Sequence, residues 1–406
     1  MNDLRNYSLV TGAYWGFTLT DGALRMLVLL HFHQIGYTPI QIALLFLLYE
    51  FFGVITNLIG GWLGSHFGLK STLFAGLSLQ AAALVMLALL DQSWSTAFSV
   101  TYVMASQALS GIAKDLTKMS SKSAIKQLVP ADAEATLFRW VALLTGSKNA
   151  LKGAGFFLGG MLLTWVGFRG ALFLMAGGLV VILISAVINL PQEMGRAKQK
   201  VKFAHILAKD RNINLLSAAR LFLFGSRDIW FVVALPIFLA TSLHWSHSQI
   251  GGFLALWVIG YGAIQALAPT LLKTFLGNNP PRGGSARNAA FLLAGLTAII
   301  AISVHLNLDP RLAIIGGLAL FGLLFAINSS IHSYLILAYA HKDQVAMDVG
   351  FYYMANACGR LIGTILSGII FQFAGLTGCL WVSMLFLLAA ATISMQLPKK
   401  NPWAKS

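Results

Sequence analysis

The sequence predicts an all-helical membrane protein in which twelve transmembrane helices form two six-helix halves. Three observations support this prediction. Of the 406 residues, 57% are hydrophobic and only 10% are charged, a balance that excludes an ordinary soluble globular protein. Apolar stretches of about twenty residues, the length that crosses a bilayer core, recur from one end of the chain to the other. Short motifs also recur about half a chain length apart.

The apolar stretches give twelve spans, and each should be a helix because a backbone in lipid must satisfy its own hydrogen bonds. Their centres lie near residues 22, 51, 82, 107, 150, 180, 226, 261, 297, 324, 360 and 387. The first span is not expected to be a cleaved signal peptide, because it carries Asp21 and Arg25 and lacks a small-residue cleavage site.

Four pairs of matching motifs, separated by 207 or 208 residues, indicate an internal repeat. The pairs are Phe17/Asp21 with Phe224/Asp228, Thr38/Gln41 with Ser246/Gln249, Asn149 with Asn356, and Gly167/Gly170 with Gly375/Gly378. A nearly constant offset at four separate places predicts two similar halves related by an axis along the membrane normal. The predicted halves are residues 1–190 and 213–398, joined by a basic linker at 191–212 and followed by a tail at 399–406.

Membrane topology, rather than nucleic-acid binding, explains the net charge of +15. An even number of spans puts both termini on one side, and that side then carries nineteen Lys and Arg residues against two, Arg169 and Arg311, on the other. Positive loops stay in the cytoplasm, so both termini are expected to be cytoplasmic. The predicted location is the inner (cytoplasmic) cell membrane, crossed many times.

A glycine-rich stretch from Gly61 to Lys70 separates the second and third spans. Its glycines allow close helix packing, and its basic end belongs on the cation-rich side. The stretch resembles the loop between the second and third helices of the major facilitator superfamily, with Ser65 where that family has an aspartate. The resemblance implies a transporter, with a gating loop formed by Gly61, Gly64, Gly68 and Lys70.

Charged residues inside the spans are expensive in lipid and are therefore candidates for function. Their distribution is uneven, because the interiors of spans 3, 6, 9 and 12 carry none. Those four helices are expected to face lipid, while the charged helices line a cavity. Lys114 and Lys118, in the inner third of span 4, are predicted to collect anions at a cytoplasmic entry, although a plain positive helix end is an equal alternative.

The cations near the middle of the spans outnumber the acids. Arg25, Lys148, Arg227 and Arg360 each lie about fourteen residues from the expected start of their helix, and Lys152 shares a helix face with Lys148. These five residues are the predicted substrate-binding set. Asp21, Glu50 and Asp228 are predicted to pair with them or to couple transport to protons. Surplus fixed cations favour an anionic substrate, because guanidinium groups bind phosphate-like and carboxylate oxygens with two hydrogen bonds.

No metal site, cofactor or enzyme activity is expected from the sequence. The two cysteines, Cys358 and Cys379, lie in apolar stretches, and no paired ligand spacing for zinc occurs.

Three longer stretches narrow the family. Phe17 to His33, Tyr49 to Val54 and Ala113 to Lys126 resemble the organoarsenical efflux permeases of the ArsJ family. The resemblance implies export of 1-arseno-3-phosphoglycerate, and hence arsenate resistance. It also implies a functional partnership with the glyceraldehyde-3-phosphate dehydrogenase that makes this labile ester. A carrier for other organophosphates or organic anions is the alternative. A receptor or channel is less compatible with the twofold repeat, and the sequence leaves antiport and uniport open.

Overall fold

A computed structural model describes residues 2–67, 69–91, 93–128, 134–190, 210–276, 281–306, 308–309, 312–339 and 345–398. Helices make up nearly all of the described chain, and no strand occurs within it. The first six are α1 (Asn2–Gln34), α2 (Pro39–Leu45), α3 (Leu47–Phe67), α4 (Leu69–Ala88), α5 (Thr96–Leu128) and α6 (Glu134–Asn189). The next six are α7 (Arg211–Phe231), α8 (Ala234–Thr241), α9 (His247–Leu276), α10 (Gly283–His305), α11 (Gly317–Tyr339) and α12 (Val345–Ser394). A π-helical turn, Leu312–Gly316, precedes α11.

These helices account for the twelve predicted spans. Seven helical segments within the described residues are long and apolar enough to cross a membrane, and α2–α3 and α7–α8 each count there as one segment. Two of the seven, in α6 and α12, each contain two predicted spans. The remaining predicted spans lie in α1, α5 and α9.

The long helices α6 and α12 each divide at one glycine. Gly167 in α6 has φ 69° and ψ 179°, and Gly375 in α12 has φ 61° and ψ −166°. This backbone region is essentially open to glycine alone, so each helix changes direction there. The two breaks are 208 residues apart and belong to one of the matched motif pairs.

A second matched pair has the same local geometry in both copies. Before α2, the Thr38 backbone N–H donates to Gln41 Oε1 at 2.8 Å, and the Gln41 N–H donates to Thr38 Oγ1 at 3.3 Å. Before α9, Ser246 and Gln249 exchange the same two bonds at 2.8 and 3.3 Å. This reciprocal arrangement is the capping box, which starts a helix by satisfying its free N–H groups. The predicted internal repeat is thus visible in the structure as well as in the sequence.

Apolar side chains cover much of the surface of the predicted lipid-facing helices. Leu174, Val181 and Ile188, beyond the break in α6, are 60, 67 and 74% exposed. Leu292 and Ile299 on α10 are both 62% exposed, and Leu385 on α12 is 56% exposed. An apolar surface this extensive is stable against acyl chains and not against water.

The chain divides into two compact units. The first contains Met1–Ile35, Leu44–Phe203 and Ser246–Ile259, and the second contains Gly36–Ala43, Ala204–Trp245 and Gly260–Ser406. In the first unit α1 packs on α6, and α4 packs on α5 and α6. In the second, α7 and α10 both pack on α12. The limits of the two predicted halves remain predictions.

Glycines allow the closest helix contact in each unit. A Cβ at Gly155 of α6 would lie 2.4 Å from the Leu19 carbonyl oxygen of α1. A Cβ at Gly359 of α12 would lie 2.1 Å from the Leu221 carbonyl oxygen of α7. Both helix pairs therefore touch backbone to backbone, which fixes the charged residues on α1 and α7 relative to α6 and α12.

The predicted gating loop is shorter than expected. Gly61 and Gly64 lie within α3, which continues to Phe67, so describing them as loop residues was wrong. Glycine lowers helix propensity by only about 1 kcal/mol per residue, which is not enough by itself to end a helix. Lys70 belongs to α4, and its Nζ donates to the Leu190 carbonyl oxygen at 2.8 Å. Gly68 lies outside the described residues.

The predicted linker and tail also fall largely outside the described residues, at 191–209 and 399–406. The end of the linker is described, and there α7 already begins at Arg211. Asp210 caps this helix, because its Oδ1 accepts the Asn212 N–H at 2.7 Å.

Candidate anion-binding clusters

In the first unit, Arg25 of α1 forms a buried ion pair with Glu50 of α3. The side chains are 8 and 1% exposed, so both charges are removed from solvent. The Arg25 guanidinium also lies 5.2 and 5.3 Å from the ring centres of Phe46 and Tyr49. Asp21 is not at ion-pair distance from Arg25 in the described structure, and its Oδ1 instead accepts the Tyr49 hydroxyl at 2.6 Å. Arg25 is thus paired with an acid on another helix rather than with Asp21, four residues earlier on its own helix.

The two predicted entry lysines hold a buried acid. Asp115 of α5 is 1% exposed, and its carboxylate lies 3.3 Å from Lys118 Nζ and 4.0 Å from Lys114 Nζ. Thr56 donates to the same carboxylate at 2.7 Å. Lys118 also donates to Asn57 Oδ1 at 2.8 Å. Lys114 Nζ lies 4.1 Å from the ring centre of Tyr49 on α3. Both lysines therefore contact α3 from α5, and anion entry through them stays a prediction.

The two predicted lysines of α6 are partly buried. Lys148 and Lys152 are one helical turn apart, and Lys152 Nζ lies 5.9 Å from the Phe156 ring centre. Close to them, Trp15 Nε1 of α1 donates to Ser147 Oγ at 2.8 Å. This end of the α1–α6 contact is therefore polar as well as cationic.

In the second unit, one acid lies between two arginines. Asp228 is fully buried, and its Oδ1 accepts Arg227 Nε at 2.7 Å while Oδ2 accepts Arg360 Nε at 3.2 Å. The two arginine side chains are each 16% exposed. We call these three residues the Asp228 triad. It joins α7 to α12 and keeps one positive charge in excess.

A third arginine of this unit, Arg220, is 4% exposed and has no carboxylate at ion-pair distance in the described structure. Its Nε donates to Asn356 Oδ1 at 2.9 Å, and its Nη1 donates to the Ser329 carbonyl and hydroxyl oxygens at 3.2 Å. The guanidinium carbon lies 3.8 Å from the ring centre of Phe224 and 5.1 Å from that of Tyr352. Neutral oxygens and aromatic rings thus replace a counter-ion.

Comparison with known families identifies the chain. The model described as Major Facilitator Superfamily matches residues 10–230 and again residues 216–406. The chain belongs to the major facilitator superfamily. It is therefore a multi-pass membrane transporter, and members of this superfamily are not generally enzymes. The predicted fold and the predicted superfamily are both confirmed.

Solved structures of this superfamily share the fold at low sequence identity. A D-xylose–proton symporter matches with a TM-score of 0.74 and 12% identity, over 98% of both chains. The xylose transporter XylE of E. coli, in a partially occluded inward-open conformation, matches with a TM-score of 0.74 and 13% identity, over 100% of both chains. A POT family transporter in complex with 5-aminolevulinic acid matches with a TM-score of 0.74 and 15% identity, over 96% of this chain and 95% of that chain. A comparison with curated protein sequences gave no match.

For this transporter, the sequence identified most of the charged residues but not their grouping. Arg25 with Glu50, and Arg227 with Asp228 and Arg360, come together as ion pairs. The expected equal distance from the helix start holds for Lys148, Arg227 and Arg360, the fifteenth to seventeenth residues of their helices, but not for Arg25, the twenty-fourth residue of α1. Their common depth in the membrane stays a prediction.

Arg220 and its hydrogen-bond partners, Asn356 and Ser329, were outside the predicted site. That prediction selected cations by a common depth, and Arg220 lies seven residues before Arg227. The signal that could have found it is the same spacing, because seven residues are two helical turns and place both arginines on one face of α7.

The described residues contain no group of three or more His, Cys, Asp or Glu side chains that could hold a metal ion. Cys358 is half-buried and Cys379 is buried, and both are free thiols.

Proposed function

We propose that this transporter exports a small organic anion, specifically the pentavalent arsenic ester 1-arseno-3-phosphoglycerate, by alternating access. The observation that carries the proposal is the excess of cations in the clusters of both units. Arg25, Lys114, Lys118, Lys148 and Lys152 accompany three acids in the first, and Arg220, Arg227 and Arg360 accompany one acid in the second. Fixed cations in partly buried positions stabilise a bound anion and so offset the hydration that it loses on leaving water.

The cysteine content supports pentavalent rather than trivalent arsenic. Trivalent arsenic favours three converging thiolates, and the whole chain has two cysteines. Cys379 Sγ lies 3.9 Å from the Ser367 carbonyl oxygen in a buried site. A pentavalent arsenic ester resembles a phosphate ester, and arginine guanidinium groups suit such an oxyanion.

A carrier for other organophosphates or organic anions is the second candidate. The same cationic clusters favour it, because they recognise oxyanions and not arsenic as such. Transport of a neutral sugar, as in the xylose transporters of similar fold, gains nothing from these clusters. The resemblance of Phe17–His33, Tyr49–Val54 and Ala113–Lys126 to organoarsenical permeases is what favours the first candidate.

The proposal also covers the membrane in which the protein lies, its orientation there and the source of its substrate. It lies in the inner membrane with both termini in the cytoplasm, because that orientation puts the basic linker and tail on the cation-rich side. Its substrate is the product of a glyceraldehyde-3-phosphate dehydrogenase that uses arsenate in place of phosphate. The partnership is functional and needs no physical contact between the two proteins.

Arsenate tolerance of a host cell tests the proposed export of the arsenic ester. Expressed in an arsenate-sensitive host that lacks its own arsenate-using dehydrogenase, the transporter alone should give little protection, because inorganic arsenate is not the cargo. Co-expression with the dehydrogenase should restore growth on arsenate and leave arsenite tolerance unchanged. Equal protection without any dehydrogenase would contradict the organoarsenical proposal. An Arg360→Gln variant expressed at the same level serves as the control for expression of an inactive carrier.

A further inference from the structure

The second unit contains a donor-rich polar cluster built around Arg220 of α7. Three donors converge on one hydroxyl group, because Ser329 Oγ lies 3.2 Å from Arg220 Nη1, 3.2 Å from the Tyr261 hydroxyl and 3.3 Å from Gln265 Nε2. A hydroxyl oxygen has two acceptor lone pairs, so Ser329 Oγ cannot fully satisfy three donors at once. The cluster is therefore rich in N–H and O–H groups that converge on one point.

The buried charge of Arg220 favours an anionic partner. Its side chain is 4% exposed, and in the described structure all of its hydrogen bonds go to neutral oxygens of Asn356 and Ser329. Its Nη2 donates no hydrogen bond within the described residues, which leaves one edge of the guanidinium fork available. A buried cation without a counter-ion is costly, and a bound anion removes that cost.

A neighbouring side chain on α11 is also unsatisfied. His332 is fully buried, and neither ring nitrogen has a hydrogen-bond partner among the described residues. It follows Ser329 by three residues, on the next turn of α11, and lies within electrostatic range of Arg220. Buried polar groups are nearly always hydrogen-bonded, so this imidazole also indicates an occupant that the protein itself does not supply.

We propose that Arg220, Tyr261, Gln265 and Ser329, with His332 beside them, form an oxyanion subsite that binds a tetrahedral phosphoryl or arsonyl group of the cargo. Arg220 supplies the fork, and Asn356 and Phe224 hold it in place. Phe224 also separates this subsite from the Asp228 triad, because its ring centre lies 3.8 Å from the Arg220 guanidinium carbon and 5.0 Å from that of Arg227. The subsite deepens the proposed function and rests on an anionic cargo, but not on arsenic.

The test measures binding of 3-phosphoglycerate, a stable analogue, to the purified full-length protein in detergent by calorimetry. Arg220→Gln should weaken binding on the order of tenfold to a hundredfold, because a charge-assisted fork is lost. Arg220→Lys should also weaken it, since a point charge cannot replace the fork. Glycerate, which lacks the phosphoryl group, should bind far more weakly than 3-phosphoglycerate. Arg287→Gln on α10, whose side chain bonds its neighbour Asn288, is the matched control and should bind normally.

A second variant keeps the test valid if Arg220→Gln does not fold. Asn356→Asp puts a carboxylate where Arg220 now meets an amide oxygen at 2.9 Å, so the variant should unfold at an equal or higher temperature and lose binding. Asn356→Asp with wild-type affinity, or a folded Arg220→Gln with wild-type affinity, would overturn the subsite. So would a wild-type protein that binds neither 3-phosphoglycerate nor inorganic phosphate. Failure of the arsenate-tolerance test with Arg220-dependent binding intact would remove only the arsenic assignment.

Discussion

At the scale of single residues, the Asp228 triad shows how a charged site can persist inside a membrane protein. One fully buried carboxylate lies between two arginines that are each 16% exposed. The acid balances only one of the two guanidinium charges, so the triad taken by itself is net positive. Removing the acid would leave two unpaired cations, and breaking a buried pair in this way costs about 3–5 kcal/mol. The triad is therefore both a structural joint of α7 and α12 and a candidate binding group.

Arg360→Lys separates these two roles. Lysine keeps the charge that pairs with Asp228, so the melting temperature in detergent should change little. It lacks the planar fork, so uptake of labelled 3-phosphoglycerate into vesicles should fall on the order of tenfold to a hundredfold. A folded Arg360→Lys protein that transports at the parental rate would show that the triad pairs charges without binding cargo.

Variants of the acid provide the control for this prediction. Asp228→Asn should lower the melting temperature strongly, and adding Arg360→Gln should partly restore it, because one unpaired cation is then removed.

The sequence could not predict which residues on different helices pair with one another. Spacing along one helix can be read from the sequence, and Asp21 lies four residues before Arg25. The observed partner, Glu50, is 25 residues away on another helix and depends on how α1 packs against α3. Arg220 is a similar case, since its role depends on Ser329 and Asn356, which lie 109 and 136 residues away.

At the scale of helices, the internal repeat is expressed through backbone geometry more than through charge. The glycine breaks at Gly167 and Gly375 and the two capping boxes match at the same 208-residue offset. The matched aspartates have diverged, because Asp21 accepts from a tyrosine and Asp228 from two arginines. Sequence comparison matched these two glycines, and the positive φ values explain why glycine is needed at both places. It did not show that two helices meet there.

Gly167→Ala should destabilise the protein. A Cβ at φ 69° and ψ 179° is strained whatever the surrounding space, at a cost of about 1–3 kcal/mol. The melting temperature followed by tryptophan fluorescence should fall by several degrees. Gly177→Ala is the matched control on the same helix, because no atom lies within 4 Å of its Cβ and its backbone is helical. There alanine should be neutral or stabilising. Equal melting temperatures for the two variants would show that the break at Gly167 is not required.

At the scale of the whole molecule, the fold could be predicted because a bilayer permits few solutions. Length, hydropathy and the repeat were enough to give twelve helices in two halves, since only helices and closed barrels satisfy a backbone in lipid. Substrate identity has no such constraint. A D-xylose–proton symporter and a POT family transporter in complex with 5-aminolevulinic acid share this fold, and a few side chains decide what each binds.

Coupling to an ion gradient is another whole-molecule property that a few acids decide. The described structure sorts the three predicted coupling acids into two kinds. Glu50 and Asp228 are committed to arginines, whereas Asp21 has no cation at ion-pair distance in the described part of the chain. Asp21 is 7% exposed and bonds a neutral hydroxyl, Tyr49, so its charge is not needed to balance a neighbour. Neutralising Asp21 would therefore break no ion pair in the described part of the chain.

We therefore predict that Asp21→Asn keeps exchange of labelled for unlabelled 3-phosphoglycerate across vesicles but loses stimulation by a pH gradient. The amide preserves the hydrogen bond from Tyr49, so folding should be retained. Glu50→Gln is the comparison variant, and it should lose both activities because it leaves Arg25 buried without its partner. An Asp21→Asn protein with the parental response to pH would exclude Asp21 as the proton carrier. A wild-type protein with no response to pH would show that the cargo's own gradient drives export.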